Sequence, residues 1–244
     1  MTLRSLARLT ATLLLTTAAA AFADEASVRK AFSERFPKAA VESVTRLPDL
    51  DLYEVVVARG DEPIIIYTDD KFRYMFQGSL VETKNMTDLT ERTRNRLTAI
   101  DFDSLPLDRA IKRVKGNGSR KIAVFSDPDC PFCKRIEQEF EKMNDITVYI
   151  FLYPIEQLHP KAVDRSKAIW CSSNRLKAWD DYMLRGTAPT AKSDCANPVA
   201  ELVEYGKKRG INGTPTLVFS DGSRVPGALN ASQLAAQFAN AAGK

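Results

Sequence analysis

The chain has 244 residues, with 35 lysines and arginines against 31 acidic residues and a formal charge of +4. A balance this even, without a dense basic run or a ladder of aromatics, speaks against a nucleic-acid binder. A single histidine speaks against a His-rich metal site, and the length accommodates two small domains.

The first stretch reads MTLRSLARLTATLLLTTAAAAFA, where Arg4 and Arg8 precede an apolar run and the small-x-small triplet Ala21-Phe22-Ala23. That order is the pattern of a secretory leader cleaved after Ala23, and a run of about 15 residues falls short of the roughly 20 that a spanning helix needs. Residues 1–23 are therefore expected to be a signal peptide. Loss of its two arginines leaves a net charge of +2. Export places the chain in an oxidising compartment, where disulfides form and persist.

Residues 24–89 read as a small α+β domain. EASVRKAFSERF brings Val28, Phe32 and Phe36 to one helix face. VESVTRL, LYEVVVA, PIIIYT, FRYMFQG and SLVETKN read as short strands, with turns such as ARGDEP and TDDK between them. Gly78 interrupts the apolar stretch Tyr74–Val81, as in a strand that another backbone approaches closely. Residues 90–117 read as a polar linker helix, capped by Thr87 or Asp88, and a connector that ends in the turn GNGS.

Residues 118–244 read as the second domain. KIAVFSD and ITVYIFLY are apolar, strand-like segments. Between them Cys133, Ile136, Phe140 and Met143 recur at helical spacing, with Lys134, Arg135, Glu137, Glu139 and Lys142 as the polar remainder. This is a βαβ pattern with Cys130-Pro131-Phe132-Cys133 at the strand-to-helix turn. Pro131 suits the first helical turn, where its missing N–H is not needed. HPKAVDRSKAIW, LKAWDDYMLRG and PVAELVEYGKKRG read as three inserted helices over residues 158–209, with Trp170 and Trp179 in their cores. His159, just before Pro160 at a helix start, reads as structural.

The four cysteines, Cys130, Cys133, Cys171 and Cys195, allow three pairings. The simplest joins Cys130 to Cys133 and Cys171 to Cys195. A four-cysteine zinc site brings two close pairs, which this spacing lacks. Closing the longer loop removes unfolded-state entropy of about 3 kcal/mol, a structural contribution. The loop between Cys130 and Cys133 is too short for that purpose, and redox chemistry is the better account of it. The thiolate is the attacking species, and the unpaired N–H groups of a helix start favour a thiolate on Cys130. Cys130 is thus expected to be the exposed nucleophile. Cys133, one turn on and facing the core, is expected to be the resolving thiol. Asp127, three residues before Cys130, is a candidate proton relay or a helix cap.

FSDPDCPFCKRIE resembles the active-site segment of the thioredoxin fold, and INGTPTLVFSDG resembles its companion loop with a cis-proline. That resemblance implies a cis Thr214–Pro215 bond, with Thr214 packed beside the cysteines and pairing its backbone with bound substrate. Phe132 is expected at the exposed rim, where an aromatic touches unfolded chains. With the leader, the small first domain, KAIWCSS and the later SDCA, nearly the whole mature chain resembles the DsbC/DsbG family of bacterial periplasmic thiol:disulfide interchange proteins. The family implies a cystatin-like α+β dimerisation domain, a linker helix, and an α/β thioredoxin-fold domain with a helical insertion. It implies a structural Cys171–Cys195 disulfide, a homodimer joined near Gly78, no cofactor or metal, and a membrane reductase of the DsbD type as partner. Its substrates are misfolded, disulfide-containing exported proteins. Thioredoxins bury an acid six residues before the first cysteine; that position here is Val124.

The chain departs from the DsbC pattern at Pro131-Phe132, which is closer to DsbG than to the Gly-Tyr of DsbC proteins. The expectation is a periplasmic disulfide isomerase. The alternatives are a DsbG-like reductase of sulfenylated cysteines, a thiol-independent dimeric chaperone, and a zinc module.

Overall fold

The computed structural model describes residues 16–60, 63–84 and 86–242, and the chain divides into two compact units, 1–97 and 98–244. Arg4, Arg8 and most of the expected leader's apolar run lie outside the described residues. Among the described residues, no helix is long and apolar enough to cross a membrane.

In the first unit, helix α1 (Thr16–Arg35) leads into an antiparallel sheet of β1 (Ala40–Leu47), β2 (Leu52–Ala58), β3 (Ile64–Thr68) and β4 (Met75–Phe76), in that order. Val28 and Phe32 of α1 pack on Val44, Tyr53, Val55 and Val57, so the helix covers one sheet face. Phe36, expected on the same face, follows the helix end and is 37% exposed, with ring contacts to Phe32 and Phe72. The opposite sheet face buries Val56, Ile65 and Tyr67. A short hairpin of β5 (Val81–Glu82) and β6 (Thr87–Asp88) follows, then helix α2 (Leu89–Leu97). The Asp88 carboxylate accepts from Glu91 N at 2.9 Å and caps α2.

The strand expected over Tyr74–Val81 is broken. Only Met75–Phe76 and Val81–Glu82 pair, and in different sheets. Gly78 lies in the bend between them, with open space where a Cβ would stand. The cause is α2: Thr90 Oγ1 accepts from Leu80 N at 2.9 Å and donates to Gly78 O at 3.3 Å, so a side chain takes the place of a neighbouring strand.

The second unit contains a five-stranded sheet. Its elements in chain order are β7 (Ile111–Lys115), β8 (Arg120–Ser126), α3 (Pro131–Lys142), β9 (Ile146–Leu152), α4 (Ala162–Cys171), α5 (Arg175–Arg185), α6 (Val199–Lys207), β10 (Thr216–Phe219), β11 (Arg224–Pro226) and α7 (Ala231–Ala242). The spatial order is β11-β10-β8-β9-β7, with β8 and β9 parallel and every other pair antiparallel. The stretch 90–117, read as linker helix and connector, therefore also contains an edge strand of this sheet, β7.

The continuous apolar character of β8 and β9 follows from burial on both faces. One face, with Ile122, Val124, Val148 and Ile150, packs on Ile136 and Phe140 of α3 and Leu234 and Phe238 of α7. The other, with Ala123, Phe125 and Phe151, packs on Leu202 of α6 and on Ile100, Phe102 and Leu105 ahead of β7. The inserted helices α4, α5 and α6 contribute Ile169, Trp179 and Val199 to the first of these cores.

Candidate active site

Strand β8 ends at Ser126, and four residues later the chain turns into α3 with Pro131 in its first turn. Cys130 is the N-cap residue, and its carbonyl accepts the first helical bond, from Lys134 N at 3.1 Å. Cys133 points into the core and is fully buried, while Cys130 keeps 5% exposure. The nucleophile expected to be exposed is thus recessed, although it is the cysteine of the pair that reaches the surface. Both are free thiols.

The Cys130 Sγ stands 3.3 Å from the carbonyl oxygen of Thr214, and the Thr214–Pro215 bond is cis. The sulfurs differ sharply in acidity. Hydrogen bonding from the Cys133 thiol, helped by the Cys133 and Phe132 backbone N–H groups and the Thr214 side chain, lowers Cys130 to about 5. Burial pushes Cys133 far up, and its hydrogen bond to Cys130 adds to the shift. Two groups work against that rise: the Ser126 hydroxyl and the Asp127 N–H, which lies 3.4 Å from Cys133 Sγ. At neutral pH the pair holds one thiolate, on Cys130, and one proton, on Cys133.

Asp127 is fully buried, and its carboxylate ties three segments together. Oδ1 accepts from Asp129 N at 2.8 Å, and Oδ2 accepts from Ile155 N at 2.7 Å and faces His159 Nδ1 at 3.0 Å. His159, which reads from the sequence as structural, is thus bonded to the cysteine loop through Asp127. Asp129 is gripped by the inserted helices: the Tyr182 hydroxyl donates to Oδ1 at 2.7 Å, and Arg165 pairs with the same oxygen. Burial, and then the bond to Asp129, push the Tyr182 hydroxyl up to about 12. The Lys134 ammonium and the Arg165 guanidinium both lie over the Tyr182 ring, at 4.8 and 4.6 Å.

Glu137, which reads from the sequence as part of the polar remainder of α3, is fully buried. Arg113 of β7 is the reason: its guanidinium donates to Glu137 Oε2 at 2.6 Å and pairs also with Asp180 of α5. Burial pushes the Glu137 carboxyl up against the pull of Arg113. Burial also works against the Arg113 charge, and the two acids more than offset it.

Phe132 stands at the mouth, 52% exposed, with the Arg135 guanidinium 5.3 Å from its ring. Cys171 and Cys195 are joined as a disulfide, with Cα atoms 5.8 Å apart, and tie the end of α4 to the segment ahead of α6. Gly78 lies in the other unit. Among the described residues, no group of three or more His, Cys, Asp and Glu side chains is placed to hold a metal.

Residues 19–91 match the family model for the disulfide bond isomerase protein N-terminal domain, and residues 107–242 match that for a thioredoxin-like domain. A probable thiol:disulfide interchange protein DsbC of Bordetella parapertussis is 39% identical over 212 residues, covering 87% of this chain and 73% of that protein. The chain belongs to the DsbC family. The DsbC of Escherichia coli is 25% identical over 219 residues, covering 88% of each chain. The crystal structure of a disulfide interchange protein from Neisseria gonorrhoeae is 52% identical over the part it shares. It covers 56% of this chain and 97% of its own, with a TM-score of 0.54. This DsbC-family chain is a thiol:disulfide oxidoreductase, built as a DsbC-type N-terminal domain and a thioredoxin-like domain.

Proposed function

We propose that the chain works in the bacterial periplasm and reshuffles non-native disulfides through Cys130 and Cys133. The observation that supports this most directly is the asymmetry of the pair: Cys130, which reaches the surface and is favoured as a thiolate, above a fully buried, protonated partner. The Cys130 thiolate attacks one sulfur of a substrate disulfide. That S–S bond breaks, a mixed disulfide forms, and the other substrate sulfur leaves as a thiolate. The freed thiolate attacks another disulfide of the same substrate, and a native pairing releases Cys130 unchanged. A substrate held too long is released by Cys133. Its thiol loses a proton, its sulfur attacks Cys130 Sγ, and the substrate leaves as a reduced thiolate.

We infer that Asp127 accepts the Cys133 proton: its backbone N–H lies 3.4 Å from Cys133 Sγ, and its carboxylate leads on to His159, whose side chain is 23% exposed. The backbone of Thr214, ahead of Pro215, pairs with the substrate, and Phe132 contacts it at the rim. Once Cys130 and Cys133 are joined, a membrane reductase of the DsbD type must return both to thiols. Two protomers join through the first unit, where Tyr74, Met75, Phe76 and Met86 are 75%, 52%, 46% and 74% exposed around Gly78.

A second reading, reduction of sulfenylated or misoxidised cysteines in the manner of DsbG, is favoured by one observation, the Pro131-Phe132 dipeptide between the cysteines. Reactivation of a scrambled, multi-disulfide test protein by the reduced protein, beside a Cys130→Ser control, separates the two. Recovery that depends on Cys130 is the expected result. Absence of recovery, with rapid exchange of small thiols, would move the assignment to the reductase. Equal recovery with the control would point to a thiol-independent chaperone.

A further inference from the structure

Strands β8 and β9 are parallel, with Ser126 opposite Leu152, so both finish at one end of the sheet. Strand β10 is antiparallel to β8, with Thr216 opposite Phe125, so it starts at that same end. The cysteine loop, the segment after β9 and the segment leading to Thr214 therefore share one end of this unit. A cleft of about 420 Å³ opens there. Its apolar walls are Ile155, Val163 of α4, Val199 and Val203 of α6, and Ile211, and Asn212 also lines it.

One hydrogen bond connects these walls to the cysteine loop, Ile155 N donating to the Asp127 carboxylate at 2.7 Å, and another joins two walls, the Tyr153 hydroxyl donating to Ile211 O at 2.7 Å. Tyr153 can lie there because residue 206 is glycine; a Cβ on Gly206 would meet its ring at 2.3 Å. The rim carries two lysines, Lys167 and Lys207, and two glutamates, Glu156 and Glu204. That balance selects against a strongly charged occupant. The volume is at the lower end of the range for sites that hold small ligands, roughly 300–1,000 Å³, and accommodates one large side chain with its flanks.

We propose that this cleft is a substrate subsite for a large apolar side chain, two residues from the cysteine under attack. The inference rests on the exchange reading above. An extended peptide paired with the backbone at Thr214 advances about 7 Å over two residues and presents every second side chain on the same side. Asn212 of the cleft wall lies two residues from Thr214 in the chain, and in this proposal the peptide side chain two residues from the cysteine occupies the cleft. Misoxidised chains expose such side chains, whereas folded proteins bury them. The cleft thus gives the site a preference for disulfides in unfolded surroundings.

The test uses short peptides whose single cysteine is blocked as a mixed disulfide with thionitrobenzoate. Each carries phenylalanine, serine or aspartate two positions before or after the cysteine. Every rate is divided by that of the same protein sample with glutathione disulfide, which is too small to reach the cleft. Phenylalanine on one side of the cysteine is expected to react about tenfold faster than aspartate, the order of effect that burial of a large apolar side chain supplies. Val203→Ser, which removes apolar wall, and Ala200→Trp, which fills the cleft from an exposed helix position, should both flatten that preference. An Ala200→Trp protein that keeps the native preference would overturn the proposal, as would native protein with no preference at either position. Native protein that fails to exchange even with glutathione disulfide would overturn the exchange reading, and the subsite with it.

Discussion

The imidazole of His159, the one histidine of the chain, stands 3.0 Å from a carboxylate oxygen of Asp127, 32 residues earlier. The same carboxylate accepts the backbone N–H groups of Asp129 and Ile155. Asp127→Ala therefore removes the acceptor of two main-chain donors as well as the partner of His159. Each orphaned buried donor costs about 1–3 kcal/mol, so a loss near 3 kcal/mol in urea unfolding is expected. His159→Ala leaves the two backbone bonds in place and should cost about 1 kcal/mol. Equal losses from the two substitutions would show that the backbone bonds contribute nothing.

The low pKa of Cys130 sets the pH range of the reaction. Alkylation of reduced protein by iodoacetamide should rise through a midpoint near pH 5 and level off above it. Thr214→Val removes one of the groups that favour the thiolate, so its midpoint should move upward. Stability follows with a definite sign. A thiol with a depressed folded-state pKa stabilises the reduced fold fully above the unfolded value of about 8.5. That contribution is lost as pH falls through about 5. The stability advantage of reduced protein over Cys130→Ser should therefore shrink on acidification. An advantage constant down to acidic pH would contradict a stabilised thiolate.

Much of this arrangement is visible in the sequence where local pattern decides it. KIAVFSD and ITVYIFLY are continuous apolar runs because β8 and β9 are covered on both faces, and Pro131 marks the start of α3 beside Cys130. Contacts made across long separations are not visible in that way. Glu137 looks like a solvent-facing residue because Arg113, which buries it, lies 24 residues earlier on an edge strand. Asp129 meets Tyr182 across 53 residues. The break in the strand expected over Tyr74–Val81 depends on a threonine hydroxyl of α2, Thr90, and no strand propensity encodes that.

The Arg113–Glu137 pair is 4% and 0% exposed at its side chains, and Arg113 also holds Asp180. Removing Arg113 leaves the Glu137 carboxyl buried without compensation, a cost of about 3–5 kcal/mol, whereas removing Glu137 leaves Arg113 its pair with Asp180. Arg113→Met is expected to destabilise by that order, and Glu137→Leu by less. The double variant should recover part of the Arg113→Met loss, because the charge left without Arg113 is then the partly exposed Asp180 carboxylate and not the fully buried Glu137. A double-mutant cycle by urea unfolding reads the coupling directly, and strictly additive losses would mean that the two residues act independently.

The Cys171–Cys195 disulfide spans 24 residues and pins a segment without regular structure between α5 and α6. In the chain-entropy model, opening a loop of this length costs about 3 kcal/mol. Cys171→Ser/Cys195→Ser protein should unfold at correspondingly lower urea, and its Cys130 alkylation midpoint should stay near 5 because neither residue touches that sulfur. The single variants should behave worse than the double. Cys171→Ser leaves an exposed thiol at position 195, free to form mixed disulfides with Cys130 of other molecules. Non-reducing gels of oxidised protein should therefore show intermolecular adducts for the single variant and none for the double. If single and double variants gave the same adducts, Cys130 alone would be their source and the second disulfide would have no part in shielding it.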